Sequence, residues 1–82
     1  MSTVTVQHQP EQQRFVLQLD GHQAVLDYQL NQNNIDFNHT FVPPEFRGKG
    51  LAEKLVKAGL SWAEQQQYSI HASCSYVQRF LG

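Results

Sequence analysis

Four stretches in the first half of the chain alternate hydrophobic and polar residues with a period of two, which is typical of half-buried β-strands. The pattern predicts strands at residues 4–8, 15–19, 24–30 and 35–42. Asp20 and Gly21 join the second and third strands, and this dipeptide favours the positive φ angles of a two-residue hairpin turn. The sequence therefore predicts an antiparallel β-meander.

Strict alternation also predicts which side chains of the fourth strand share a face. His39 and Phe41 are expected on the same face as Ile35 and Phe37, with Thr40 on the opposite face.

The period of the pattern changes after residue 50. Apolar residues then recur at spacings of three and four, which predicts one amphipathic helix of about four turns. Gly59 lies in its apolar stripe, where glycine costs about 1 kcal/mol relative to alanine, so we expect close packing of the helix on the sheet. A fifth strand is predicted at residues 68–73 and a short helix within 75–81. Since a strand, helix and strand in succession pair in parallel, the prediction is an α+β fold with the fifth strand parallel to the fourth.

Length and composition narrow the class of protein. Eighty-two residues predict one domain, residues 1–82, and a net charge of −1 argues against a nucleic-acid partner, which would require a basic face. Cys74 is the single cysteine, which suits a reducing compartment, and no apolar run reaches membrane length. We therefore expect a cytoplasmic protein with no membrane partner.

The junction between the fourth strand and the helix reads "PPEFRGKGLA", residues 43–52. The two prolines have no N–H to donate, so the strand cannot continue normal pairing and is expected to splay from its neighbour. Gly48 and Gly50 permit left-handed backbone or close approach of a ligand. Arg47 and Lys49 add positive charge beside a helix N-terminus, where free amides bind anions. The junction is either a phosphate cradle or a plain structural turn.

Two common phosphate motifs do not match this junction. A Walker loop requires serine or threonine after the lysine, but Gly50 follows Lys49, and the dinucleotide fingerprint lacks its third glycine because Glu53 stands there. The remaining pattern, R-x-x-G-x-A, resembles the pyrophosphate-binding signature of the GCN5-related N-acetyltransferases. The segments "HTFVPPEFRGKGLA" (39–52) and "CSYV" (74–77) resemble the small, single-domain YjdJ-type members of that family.

The resemblance implies a fold, a donor and a site. Acetyl-CoA would be the acetyl donor, and an amine, on a small molecule or a protein, the acceptor. The thioester arm would lie between the fourth and fifth strands. The acceptor groove of so short a chain would be open or completed by a second subunit, so the protein would act as a monomer or homodimer. The residues implied in donor binding are Phe41, Val42, Arg47, Gly48, Lys49, Gly50, Leu51 and Ala52.

The catalytic residues are harder to assign. Many relatives carry an acidic residue where Phe41 stands, so a carboxylate base is absent there. Histidine is the side chain most often used as a base near neutral pH, so His39 is a candidate base, although it equally suits a hydrogen bond within the sheet. The resemblance places Cys74 near the sulfur end of the donor, as nucleophile, proton relay or pocket wall, and nothing in the neighbouring sequence indicates a lowered thiol pKa.

Other residues that could carry chemistry have simpler interpretations. His71 and Cys74 lack the companion pair that a zinc site needs, so no metal is expected. Trp62 is expected in the core, and His8 and His22 at the surface. Tyr76 and Phe80 either line the cleft or close the core. Two alternatives to an enzyme remain. One is a coenzyme A-binding module without turnover, and the other is an interaction domain in which the loop with Gly48 and Gly50, which we call the glycine loop, is only structural.

Overall fold

One mixed β-sheet and one main helix make up the computed structural model, which describes residues 5–48 and 50–81. The five strands lie in the sheet in chain order. The first four pair antiparallel, and the fifth pairs parallel with the fourth. The predicted α+β architecture is confirmed. The elements are β1 (Thr5–Gln9), β2 (Arg14–Leu19), β3 (His22–Asn31), β4 (Asn34–Phe41), a 3₁₀ turn (Pro44–Phe46), α1 (Leu51–Gln65), β5 (Ser69–Ala72) and α2 (Ser75–Gln78).

The hairpin between β2 and β3 has the predicted turn. Asp20 and Gly21 adopt φ angles of 52° and 78°, and Leu19 pairs with His22. Positive φ at both central residues is the geometry that matches the twist of antiparallel strands. This turn fixes the register in which β2 and β3 present their apolar residues to the helix.

Helix α1 packs against one face of the sheet through Gly59. A Cβ on Gly59 would lie 2.8 Å from Leu26 Cδ2 and 3.1 Å from Phe37 Cε1, both on fully buried side chains. The close packing predicted from this glycine is confirmed. Val77 of α2 joins the same core.

A β-bulge in β4 changes which residues face the helix. Tyr28 pairs with Phe37, but the next pair joins Asp27 to His39, so Asn38 is an extra residue in β4. Beyond the bulge the alternation is inverted. Thr40 lies opposite the buried Leu26, on the core face.

His39 and Phe41 therefore lie on the face of the sheet that points away from α1. We call this face the open face. The side chain of His39 is 61% exposed and Phe41 is 52% exposed. The expectation that these residues share a face with Ile35 and Phe37 is wrong, because one inserted residue moves every later side chain to the opposite face.

His8 is only partly exposed, whereas the sequence predicted a surface or turn residue. It pairs with Phe15 across β1 and β2, and its ring stacks on the Phe15 ring with centroids 4.2 Å apart. Trp62 meets the His8 ring edge-on, with ring centroids 4.4 Å apart. Trp62 packs against the core, as predicted. The Nε2 atom of His8 lies 2.6 Å from the Tyr28 hydroxyl. Burial lowers the pKa of His8 below the ordinary 6.5.

Candidate functional site

Strands β4 and β5 separate after only four paired residues. Their parallel pairing runs from Asn34 with Ser69 to Phe37 with Ala72, whereas β4 continues to Phe41. Residues 38–41 therefore extend beyond the part of β4 that pairs with β5. The predicted loss of pairing is found, but it begins before Pro43 and Pro44, so the prolines are not its cause. We call this opening between the strands the splay.

The end of β5 is held by hydrogen bonds to β4. The Asp36 carboxylate accepts from the Ser73 backbone N–H at 2.8 Å and from its hydroxyl at 2.7 Å. The Cys74 N–H then donates to the Phe37 carbonyl at 3.1 Å, and α2 begins at Ser75. These bonds fix where β5 ends and place Cys74 beside the last residues of β4.

A cavity of about 510 Å³ lies at the splay, between the end of β4, the glycine loop, the start of α1 and α2. This volume lies in the usual range for small-molecule pockets. The residues that line the cavity are Thr40, Val42, Phe46, Arg47, Gly48, Gly50, Ala52, Glu53, Tyr76 and Phe80.

The glycine loop has the backbone that an anion cradle needs. Gly48 and Gly50 have φ angles of 77° and 71°, in the left-handed region that favours glycine. No heavy atom lies within 4 Å of where a Cβ would stand on either residue, so conformation, and not packing, requires glycine there. Gly50 is the N-cap of α1 and offers no side chain to the first-turn amides, which have no carbonyl partner within a helix.

Charge at the loop is mixed. Arg47 is exposed and lines the cavity, while Lys49 lies outside the described residues. Glu53 also lines the cavity, and Lys57 lies 2.8 Å from its carboxylate, which offsets part of its charge. Leu51 points into the core at 5% exposure, so only its backbone can serve a ligand.

Cys74 lies behind the cavity wall, next to Thr40. Its Sγ atom is 3.5 Å from the Thr40 hydroxyl. Burial by itself would raise the pKa of the Cys74 thiol. Hydrogen bonds with the Thr40 side chain and with the backbone of Val77, Tyr76 and Thr40 outweigh burial, so the pKa is lowered from its ordinary value. The contribution of Thr40 could not be read from the residues next to Cys74, because Thr40 belongs to β4.

Apart from Cys74, Lys49 and Leu51, the predicted site residues fall into two groups. Val42, Arg47, Gly48, Gly50 and Ala52 line the cavity. His39 and Phe41 lie on the open face and do not reach the cavity, and His39 Nδ1 instead lies 3.2 Å from Asp27 Oδ2.

Thr40, Tyr76 and Phe80 line the cavity but were not predicted as site residues. Thr40 was missed because the bulge was not recognised. The spacing of Tyr76 and Phe80 fits one side of a helical turn, but sequence did not show whether that side faced the cleft or the core. Their rings lie 5.6 Å apart in the structure.

Two other kinds of site are not found in the described residues. Residues 5–48 and 50–81 contain no cluster of three or more histidine, cysteine, aspartate or glutamate side chains arranged to hold a metal. In the same part of the chain, every helix is too short or too polar to cross a bilayer.

Comparison with known proteins gives one consistent family. The family described as GCN5-related N-acetyl-transferase matches residues 14–82. Protein NATD1 of Xenopus tropicalis is 32% identical over 83 residues, which cover 98% of this chain and 76% of that protein. Protein NATD1 of Homo sapiens is 32% identical over 81 residues, with 95% and 72% covered.

A solved structure agrees with these sequences. The solution structure of a GCN5-like N-acetyltransferase candidate from Staphylococcus aureus superimposes with a TM-score of 0.76 at 30% identity, covering 99% of this chain and 80% of that one. The narrower resemblance to YjdJ-type proteins stays a prediction. The sequence match, the strand order and the separation of β4 from β5 agree with one another, and the chain belongs to the GCN5-related N-acetyltransferase family.

Proposed function

We propose that this protein transfers an acetyl group from acetyl-CoA to a primary amine. The observation that carries the proposal is the pair of left-handed glycines, Gly48 and Gly50, at the N-terminus of α1, which opens on a cavity of about 510 Å³ beside the splay. Amides at one end and an open strand edge at the other suit a long ligand with an anionic end and a narrow arm.

The glycine loop would hold the diphosphate of the donor. Backbone N–H groups of Gly48, Gly50, Leu51 and Ala52 supply hydrogen bonds, and the α1 macrodipole adds roughly half a positive charge at this end. Arg47 stands beside them with a guanidinium that can bind two phosphate oxygens. Lys49 is assigned here from sequence alone.

The splay would hold the thioester end. Acetyl-CoA supplies an acyl group activated by a thiolate leaving group. A backbone N–H near Phe41 or Val42 would hydrogen-bond the acyl oxygen, as the family resemblance implies. The neighbouring thiol of Cys74 and hydroxyl of Thr40, 3.5 Å apart, can exchange a proton at this wall.

A second candidate function is coenzyme A binding without turnover. Glu53 is the one carboxylate among the described cavity-lining residues, and Lys57 pairs with it at the loop end. The cavity thus lacks a carboxylate that is free to act as a base. Phe41, which stands where many relatives carry an acidic residue, lies on the open face. Turnover then requires a base from elsewhere.

Calorimetric titration with coenzyme A tests the binding part of the proposal. Arg47→Gln should raise the Kd about tenfold or more, because a hydrogen bond to a charged group contributes about 1.5–3 kcal/mol. Arg79→Gln is the matched control, since Arg79 is exposed and not among the lining residues. If both variants bind like the wild type, or if the wild type does not bind, the glycine loop is not a phosphate site.

Thioester loss with a panel of primary amines tests catalysis. Wild-type protein should accelerate the loss of acetyl-CoA thioester in the presence of at least one amine, and acetylated amine should appear by mass spectrometry. Cys74→Ala shows whether the thiol takes part. Coenzyme A binding without acceleration by any amine would favour the second candidate.

A further inference from the structure

Three side chains form a row across the open face, one from each of β2, β3 and β4. Arg14 is the cross-strand partner of Asp27, and Asp27 is the cross-strand partner of His39. Arg14 Nε lies 2.9 Å from Asp27 Oδ1, and His39 Nδ1 lies 3.2 Å from Asp27 Oδ2. Each carboxylate oxygen of Asp27 therefore has its own partner.

This arrangement selects one state of the histidine ring. A carboxylate only accepts hydrogen bonds, so Nδ1 of His39 carries the proton and donates to Asp27. In the neutral ring, Nε2 then has a free lone pair. Arg14 holds the carboxylate from its other side, which keeps it turned towards His39. The ring is 61% exposed, so Nε2 is accessible.

The bulge at Asn38 gives His39 its position relative to the cavity. His39 lies on the segment of β4 that extends beyond β5, directly before Thr40, which lines the cavity from the opposite side of the strand. Phe41, next on the open face, is 52% exposed. The splay thus has a cavity on its helix side and a histidine beside an exposed aromatic ring on its other side.

We infer that His39 is the base for the acceptor, that Asp27 and Arg14 are positioning residues, and that the acceptor is a primary amine with a hydrocarbon stem that enters from the open face. The inference rests on the proposed function. His39 is then the base that the cavity lacks, and Phe41 contacts the stem of the acceptor.

One proton moves from the acceptor to His39. An ammonium group of the acceptor gives one proton to His39 Nε2, and the electron pair of the broken N–H bond becomes the lone pair of the amine. The ring then carries one positive charge next to the Asp27 carboxylate. The proton leaves from Nε2 to solvent, to which the ring is open.

The kinetic test uses acetyl-CoA with benzylamine as the probe. His39→Gln should lower kcat about a hundredfold or more, the usual contribution of a general base, while the Kd for coenzyme A stays at the wild-type value. Added imidazole should restore part of the rate of His39→Ala. His71→Gln, an exposed histidine on β5, is the control and should keep the wild-type rate. An unchanged rate in His39→Gln overturns the inference.

A second test adds a measurement that does not depend on turnover. The ¹⁵N shifts of the His39 ring should show the proton on Nδ1 in the neutral wild type, and Asp27→Asn should move it towards Nε2 and lower kcat with little change in KM. A wild-type ring protonated on Nε2 overturns the inference. Failure to bind coenzyme A overturns the proposed function instead, and binding without any benzylamine turnover overturns the acceptor class.

Discussion

Gly59→Ala tests how closely α1 packs on the sheet. The new methyl would lie 2.8 Å from Leu26 Cδ2, 3.1 Å from Phe37 Cε1 and 3.6 Å from Phe15 Cδ1. Real Cβ contacts are essentially never as short as 2.8 Å and rarely as short as 3.1 Å, whereas 3.6 Å is an ordinary contact. Leu26 and Phe37 are fully buried, so either the helix or the core must move. Overpacking of this kind costs about 1–3 kcal/mol.

Helix propensity acts in the opposite direction. Alanine is favoured over glycine by about 1 kcal/mol inside a helix. We therefore expect a net loss of about 1 kcal/mol in the free energy of unfolding, or roughly 4–8 °C in Tm for a domain of this size. Gly59→Val should lose more, because it adds two further methyl groups and recovers less propensity.

Urea unfolding followed by the fluorescence of Trp62, the single tryptophan, gives the measurement. Ser61→Ala, on the exposed side of the same helix, is the control and should gain a few tenths of a kcal/mol from propensity alone. If Gly59→Ala gains stability as Ser61→Ala does, the argument from contact distances is refuted.

Three further predictions concern the loop, the thiol and the aromatic cluster. Gly50→Ala should lower the free energy of unfolding by about 1–2 kcal/mol, because φ is 71° at this residue, and should weaken coenzyme A binding. Gly50→Asn should lower the free energy of unfolding by less. Equal losses for the two variants in thermal unfolding would contradict the conformational reason. Thr40→Val should raise the pKa of the Cys74 thiol by removing a hydrogen bond that lowers it, so the pH midpoint of alkylation by iodoacetamide should move upwards. The pKa of His8 is lower in the folded protein than its ordinary 6.5, so the unfolded chain binds more protons between those two values. Stability should therefore be full above pH 6.5 and fall as the pH drops towards the folded pKa, and His8→Gln should remove that part of the slope in urea titrations at several pH values.

The sequence by itself determined the order of the secondary-structure elements and the backbone conformation of the glycine loop. The period-two and period-three-to-four patterns, the Asp20-Gly21 turn and Gly59 each depend on neighbours in the chain or on a simple burial rule, and the structure confirms them. The left-handed angles of Gly48 and Gly50 belong to the same class, because glycine is the residue that adopts them at little cost.

Only the tertiary structure decided which side chains meet. The bulge at Asn38 depends on the register between β3 and β4, and no local pattern marks it, yet it moves His39 to the open face and Thr40 to the cavity. The lowered pKa of Cys74 likewise depends on groups from β4 and α2. Local preferences fix the backbone of each segment, whereas a site depends on contacts between segments, and one inserted residue is enough to change those contacts.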